Sequence, residues 1–300
     1  MENLTKEVKT THLTNFMFDG ARAEISRTFS ASPLFQTTHG FTLGAEAAPP
    51  TYNFSTVYAT NKVFMQGGID HAGNLNMRYN QSWNDSNVAK ISAQLSPRAG
   101  QNMINFEHDY QGLDYSLNFK AMNPGPTDLS GIFVGSYLQS VTKNLALGVE
   151  TVSQRQGPMS EQTTSYVFKY TGNNKNWIAT AQLHGGAVQA TYWQKFGEKV
   201  DMAADLQVLA AQGRRDALAT IGARWELRMA AFRAQIDTTG KVSALLEQRY
   251  APALAFLVSG EIDHFKNSAK FGLGVMVDSP TLSPEEMEAQ AAMSHQQPPV

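Results

Sequence analysis

Apolar and polar side chains alternate with a period of two along most of this chain, and helical spacing never takes over. Leu113, Tyr115, Leu117 and Phe119 fall on one face of a segment whose other face carries Asp114, Ser116, Asn118 and Lys120. Met77, Tyr79, Gln81 and Trp83 oppose Asn76, Arg78, Asn80 and Ser82, and Val200, Met202, Ala204, Leu206 and Val208 oppose Asp201, Ala203, Asp205 and Gln207. A two-residue period is that of a β-strand with one face buried. The pattern predicts 19 strands, near residues 18–29, 34–46, 51–60, 62–71, 74–83, 87–96, 101–110, 112–122, 129–140 and 144–155, then 162–171, 175–184, 187–196, 199–210, 216–227, 229–238, 241–250, 253–264 and 268–278. Turn sequences such as Asn84-Asp85-Ser86, Gln111-Gly112, Gly172-Asn173-Asn174, Gly185-Gly186 and Thr239-Gly240 separate them. Pro49-Pro50, Pro124-Gly125-Pro126 and Gly157-Pro158 mark longer loops. Connections this short make neighbours pair antiparallel, as an up-and-down meander.

The apolar faces decide what such a sheet encloses. A soluble sandwich packs two inner faces together and keeps its outer faces polar. Here Phe, Tyr, Trp and Leu occupy one face of nearly every segment, with no helix-period segment to cover them. A transmembrane β-barrel predicts this directly, since lipid wets the outside and water the inside. Most segments have the ~9–11 residues that a tilted strand needs to cross a bilayer. Trp83, Tyr110, Tyr170 and Tyr250 each end a strand on or beside its apolar face, where aromatic rings meet lipid headgroups. In a soluble all-β domain, the rival reading, the same rings would pack across strands.

Composition adds limits. The 300 residues are 42% hydrophobic, and the mean hydropathy of -0.32 suits strands that are apolar on one side only. No run of about 18 apolar residues exists to form a membrane-spanning helix. Met1 to Thr14 is polar and carries Glu2, Lys6, Glu7 and Lys9, unlike a secretory signal peptide. Cysteine is absent, which excludes disulfides and thiolate metal sites. A net charge of -2 carries no nucleic-acid footprint. The 7 histidines lack metal-ligand spacing, and there is no nucleophile elbow, P-loop or dinucleotide fingerprint. Neither enzymatic activity nor a cofactor is expected. The chain reads as one domain, 1–300: a short helix over 2–14 with Leu4 and Val8 on one side, a barrel over 18–278, a helix over 284–294 opened by a capping box at Ser283, Pro284 and Glu286, and a polar tail over 295–300. Both helices are too polar for lipid, which assigns them to the lumen or to water.

Several blocks resemble a known family. Phe35-Gln36-Thr37-Thr38-His39, Gln66-Gly67-Gly68-Ile69-Asp70, Phe106-Glu107-His108-Asp109-Tyr110, Leu138-Gln139-Ser140-Val141-Thr142, Phe232-Arg233-Ala234-Gln235-Ile236-Asp237 and Gly260-Glu261-Ile262-Asp263-His264-Phe265-Lys266-Asn267 stand in the order and spacing of the pore-forming subunit of the TOM complex, the general translocase of the mitochondrial outer membrane. The resemblance runs from about residue 2 to residue 278. It implies a 19-stranded barrel of the mitochondrial porin type whose first and last strands pair in parallel. It implies a sorting signal in the last strand, carried by Lys270, Gly272, Val275 and Val277, and residence in the outer membrane as an integral multi-pass β-barrel. It also implies a function, passage of unfolded precursor proteins and presequences from cytosol to intermembrane space. The partners implied are precursor polypeptides, a single-helix receptor subunit, small single-helix subunits, a second copy of the pore and outer-membrane lipids. Family members commonly carry more chain before the helix.

Pore dimensions follow from strand number. With ~4.8 Å between strands and a tilt of ~40°, such a barrel closes at a backbone radius of roughly 19 Å. Side chains leave a lumen roughly 25 Å across, against about 10–12 Å for a helix with its side chains. Alternation places the acids Glu107, Asp109, Asp114, Asp201, Asp205, Glu247, Glu261 and Asp263 in the lumen, with the bases Arg78, Lys90, Lys120, Lys169, Arg224, Arg228, Arg233 and Lys270. Clustered acids would draw basic, amphipathic presequences over about a Debye length, ~8 Å at physiological salt. The competing reading is that these charges form ion pairs along the wall and merely keep it wet. Phe64, Val167 and Leu245 interrupt the polar face, either as contacts for apolar precursor segments or as packing partners of the N-terminal helix. A metabolite porin of voltage-dependent anion channel type remains the alternative function, and would show a basic excess inside.

Overall fold

The computed structural model describes residues 4–14, 16–44, 49–98, 100, 102–125, 130–157, 159–211, 214–251 and 253–279. A six-residue helix, α1 (Lys6–Thr11), precedes 19 strands. These are β1 (Gly20–Ala31), β2 (Leu34–Leu43), β3 (Thr51–Ala59), β4 (Val63–Asp70), β5 (Leu75–Asn84), β6 (Asn87–Leu95) and β7 (Met103–Gln111). They continue as β8 (Tyr115–Met122), β9 (Gly131–Ser140), β10 (Leu145–Gln156), β11 (Met159–Thr171), β12 (Trp177–His184) and β13 (Ala187–Lys195). The last are β14 (Val200–Ala211), β15 (Arg214–Glu226), β16 (Ala230–Asp237), β17 (Lys241–Ala251), β18 (Leu254–Asp263) and β19 (Ser268–Ser279). The expected helix over 284–294 and tail over 295–300 lie outside the described residues.

Each strand pairs antiparallel with its sequence neighbours, and β1 pairs in parallel with β19 from Gly20↔Gly272 to Arg27↔Ser279. Closure with an odd strand number requires one parallel pair, because antiparallel alternation cannot return to its starting direction. The sheet is thus a closed all-β barrel without an edge, the only sheet whose backbone groups can all be satisfied in lipid.

Cross-strand register keeps the two faces separate all the way round. Outward positions carry Phe106, Leu117, Phe119, Tyr166, Leu206, Ile221 and Phe271, all exposed. Alternate strands end at the same rim, so Trp83, Tyr110, Tyr170 and Tyr250 all lie at the rim opposite the start of β1. They form an aromatic belt there with their neighbours, through the pairs Tyr110–Tyr115 (5.8 Å), Tyr170–Trp177 (5.1 Å), Trp177–Tyr192 (6.0 Å) and Tyr250–Phe256 (5.4 Å). Amphipathic rings at one level are how a barrel is held at a headgroup layer.

Two predicted wall residues belong to turns instead. The Gly112 amide donates to the Tyr115 carbonyl (2.8 Å), which leaves Leu113 and Asp114 as the centre of a tight hairpin and starts β8 at Tyr115 rather than at residue 112. Leu227 donates to the Ala230 carbonyl in the same way and lifts Arg228 out of the strands. Alternation continues on paper through a turn, but the hydrogen bonds that define a wall position do not.

The helix is also shorter than the 2–14 expected. The Thr10 and Thr11 hydroxyls donate back to the Glu7 carbonyl (2.8 and 2.9 Å), and His12 turns into extended backbone at ψ 153°. A helix of this length is not stable alone. It packs inside the barrel against β13, β14 and β15, with Val8 and Thr11 buried.

The outward face sets the first test. Phe119→Arg, at mid-strand, is expected to lower unfolding free energy in bilayers by about 2–4 kcal/mol, while Trp83→Arg at the rim costs ~0–1 kcal/mol. Urea titration in vesicles measures both, and equal costs would contradict this placement of the membrane.

Candidate functional site: a charged lumen crossed by the N-terminal segment

The lumen wall is built from the polar halves of the strands, and register decides which charges meet. On β6 to β8, Lys90 stands opposite Glu107, and Glu107 opposite Lys120. The Lys90 ammonium reaches Asp109 at 2.6 Å and Glu107 at 3.4 Å. Asn118 donates to both carboxylates, to Glu107 at 2.7 Å, so one amide and one ammonium tie the acid pair together. Asp114 sits in the turn at the rim beyond this group, bordering a space with Lys143 and Lys169.

On the far wall, Asp201 stands between Lys195 and Arg224, while Arg224 is paired with Glu226. Asp205 accepts from Gln207 (3.0 Å) and more weakly from Gln189 (3.3 Å). Arg249 holds Glu247 at 3.0 Å, and Lys270 lies 3.9 Å from Glu261. Asp263, 5% exposed, accepts from the Phe265 and Lys266 amides and so closes the β18–β19 turn. The eight predicted acids therefore separate into a β7 pair, a far-wall pair, Glu247, Glu261, and two turn residues at opposite rims. Arg78 donates to Asn80 (3.3 Å). Strict alternation, applied to every strand, would also have found inward Glu24, Glu150 and Glu226.

Of the apolar wall residues, Val167 and Leu245 are buried at 2% and 3% exposure, and Phe64 is half-buried. Leu245 stands in register between Arg233 and Ser259, and Val167 between Gly148 and Gln182. None of the three borders the cavities beside Leu4 or Val8.

Sequence reasoning did not find the path of the N-terminal segment. Leu4 borders a cavity of about 430 Å³ with Lys90, Glu107, Asp109, Asn118 and Lys169. Val8, Lys9, His12 and Leu13 border another of about 470 Å³ with Asp205, Asp237, Lys241 and Glu261. The segment thus bridges two charged regions of wall and narrows the passage between them. Leu13, fully buried, donates its amide to Gln235 (2.8 Å). His12 lies against Gly222, where a Cβ would come within 2.8 Å of its ring. The Arg233 guanidinium covers Phe16 at 4.1 Å. The only hint in sequence was glycine at wall positions that alternation turns inward.

The arrangement supplies a wide, wet, mixed-charge passage partly filled by its own chain. Among the described residues no group of His, Asp and Glu has the geometry to hold a metal ion. Fold and lumen together define a pore, and the sequence agrees: residues 1–272 match the family model of eukaryotic porin. The chain is 38% identical to the mitochondrial import receptor subunit tom40 of Neurospora crassa, over 97% of this chain and 86% of that protein. It is 36% identical to TOM40 of Saccharomyces cerevisiae (93% and 77% covered) and 30% identical to TOM40 homolog 2 of Drosophila melanogaster (87% and 78%). The chain belongs to the eukaryotic porin family, in its Tom40 branch.

His12 gives the docked segment a pH dependence. Burial lowers its pKa from the usual 6.5, and the Asp205 carboxylate and the Gln235 side chain pull only partly the other way. The docked state therefore favours neutral imidazole, and a released segment binds the proton more readily. Docking is fully stabilised above about pH 6.5 and weakens as pH falls through the lowered pKa. A spin label on Thr10→Cys should gain mobility between about pH 7.5 and 5. His12→Phe should flatten that response, and mobility independent of pH in the parent would contradict it.

Proposed function

We infer that this barrel is the protein-conducting channel of the mitochondrial outer membrane, passing unfolded precursors and presequences from the cytosol to the intermembrane space. One observation carries the reading: a closed 19-stranded barrel with a wet, mixed-charge lumen, in a chain related along nearly its whole length to import receptor subunits. A lumen roughly 25 Å across, reduced by a segment of helix about 10–12 Å wide, admits an extended chain and refuses a folded domain of about 30 Å.

Lumen chemistry supports transit rather than storage. The acid pair Glu107–Asp109 is held in place by Lys90 and Asn118. An arriving presequence guanidinium then exchanges with a flexible lysine ammonium and leaves no carboxylate bare at any stage. Exchange of one ion pair for another is close to neutral in free energy, which suits a passage whose cargo must leave again. Phe64 offers an apolar contact on the same wall for precursors without basic presequences. Partners follow the same reading: a single-helix receptor subunit, small single-helix subunits and a second pore, all docked on the outer face among lipids.

Single-channel recording with a basic presequence peptide added to one side tests this. The parent channel should be blocked reversibly. Reversal of Glu107, Asp109 and Asp114 to Lys should weaken block at least ~5-fold, about 1 kcal/mol. Anion selectivity without block would favour the metabolite porin instead.

A further inference from the structure

Every antiparallel pair in this barrel joins strands consecutive in sequence, so a local connection limits its register, and the parallel pair β1–β19 has no such connection. Its strands lie at opposite ends of the chain, yet a one-residue slip would send every side chain of β1 to the wrong face. Something other than a turn must set the register of the closing seam.

The segment before β1 supplies it. The Ser259 hydroxyl, on a fully buried β18 residue, donates to the Phe18 carbonyl at 2.7 Å. Phe18 lies over Gly272 of β19: a Cβ there would fall on the Ser259 hydroxyl, 2.5 Å from the Phe18 carbonyl oxygen and 2.8 Å from its ring. At Gly274 a Cβ would come within 3.1 Å of the same ring. Two residues after Phe18, Gly20 enters the sheet as the Cα partner of Gly272. A single inward row joins Arg233, Leu245, Ser259 and Gly272, and Phe16 sits under Arg233 on it. His12, Leu13, Phe16 and Phe18 are thereby anchored in turn, at Gly222, Gln235, Arg233 and Ser259, on the way to the seam.

We propose that Phe18, Ser259 and Gly272 form a register key, which fixes where β1 meets β19 and ties closure of the barrel to docking of the lumen helix. The notch exists only once β18 and β19 are paired, because its floor is Gly272 and its wall is Ser259. Phe18 can seat in it at one position, since the neighbouring inward positions of β19 carry Lys270 and Met276 beyond the two glycines. Gly272, which the family resemblance also places in a sorting signal, has its task in the finished barrel at this notch.

Engineered cysteines test the key in a chain with none of its own. Ala21→Cys with Leu273→Cys reports the native register, and Ala23→Cys with Leu273→Cys reports a two-residue slip, all on the outer face. With the key intact, oxidation of membrane-assembled barrels should join only the native pair. Phe18→Gly with Ser259→Ala should raise the slipped product relative to the native one by roughly 5-fold or more, the ratio set by about 1 kcal/mol. Ser259→Ala alone, which leaves the sorting motif untouched, should shift the ratio in the same direction and carries the measurement if the double variant does not assemble. Ser136→Ala, a similarly buried wall serine away from the seam, should leave it unchanged. An unaltered ratio in the Ser259→Ala barrel would overturn the proposal, as would an equal shift in Ser136→Ala.

Discussion

Hydrocarbon offers no partner to a backbone amide, and this one condition governs the whole molecule. Each unpaired N–H or C=O in the bilayer costs several kcal/mol, so a sheet in lipid has to close. Closure with 19 strands forces one parallel pair, at β1 and β19. The size of the pore, the separation of faces and the need for a register device at the seam all descend from that closure.

Inside, the governing cost is the desolvation of charge. The wall keeps its charged groups at the wet surface and pairs several of them with one another, as in Lys90 with Glu107 and Asp109, Arg22 with Glu24 and Arg249 with Glu247. Paired charges on a hydrated surface attract weakly and exchange readily. A passage for polypeptides needs that property, because tight binding anywhere along it would hold the cargo. Sequence had left two readings open, acid patches or wall ion pairs. The structure shows ion pairs at Glu107, Asp109, Glu247 and Glu261, half of the eight acids, while Asp205 is held by the amides of Gln189 and Gln207.

Period-two alternation is a local property of the backbone, so strand positions and faces were legible residue by residue. It located the nineteen strands, set Glu107 and Asp109 on one face of their strand, and marked the strand-end aromatic residues of the belt. It failed where hydrogen bonding rather than pattern sets the boundary, at Asp114 and Arg228, which tight hairpins turn into rim residues. It overestimated α1, because helical spacing does not reveal that His12 turns to extended backbone where the segment docks on the wall.

What the chain determines by itself is everything that depends on neighbours a few residues away: strand, face, turn and the charges each face carries. Tertiary structure alone decides which of those charges meet and how the seam is aligned. It also decides where the N-terminal segment lies. Ser259 and Phe18 are separated by 241 positions, and no periodicity links them. Only when β18 and β19 stand side by side does a glycine in the last strand become a notch, and only then does Phe18 have a place to go.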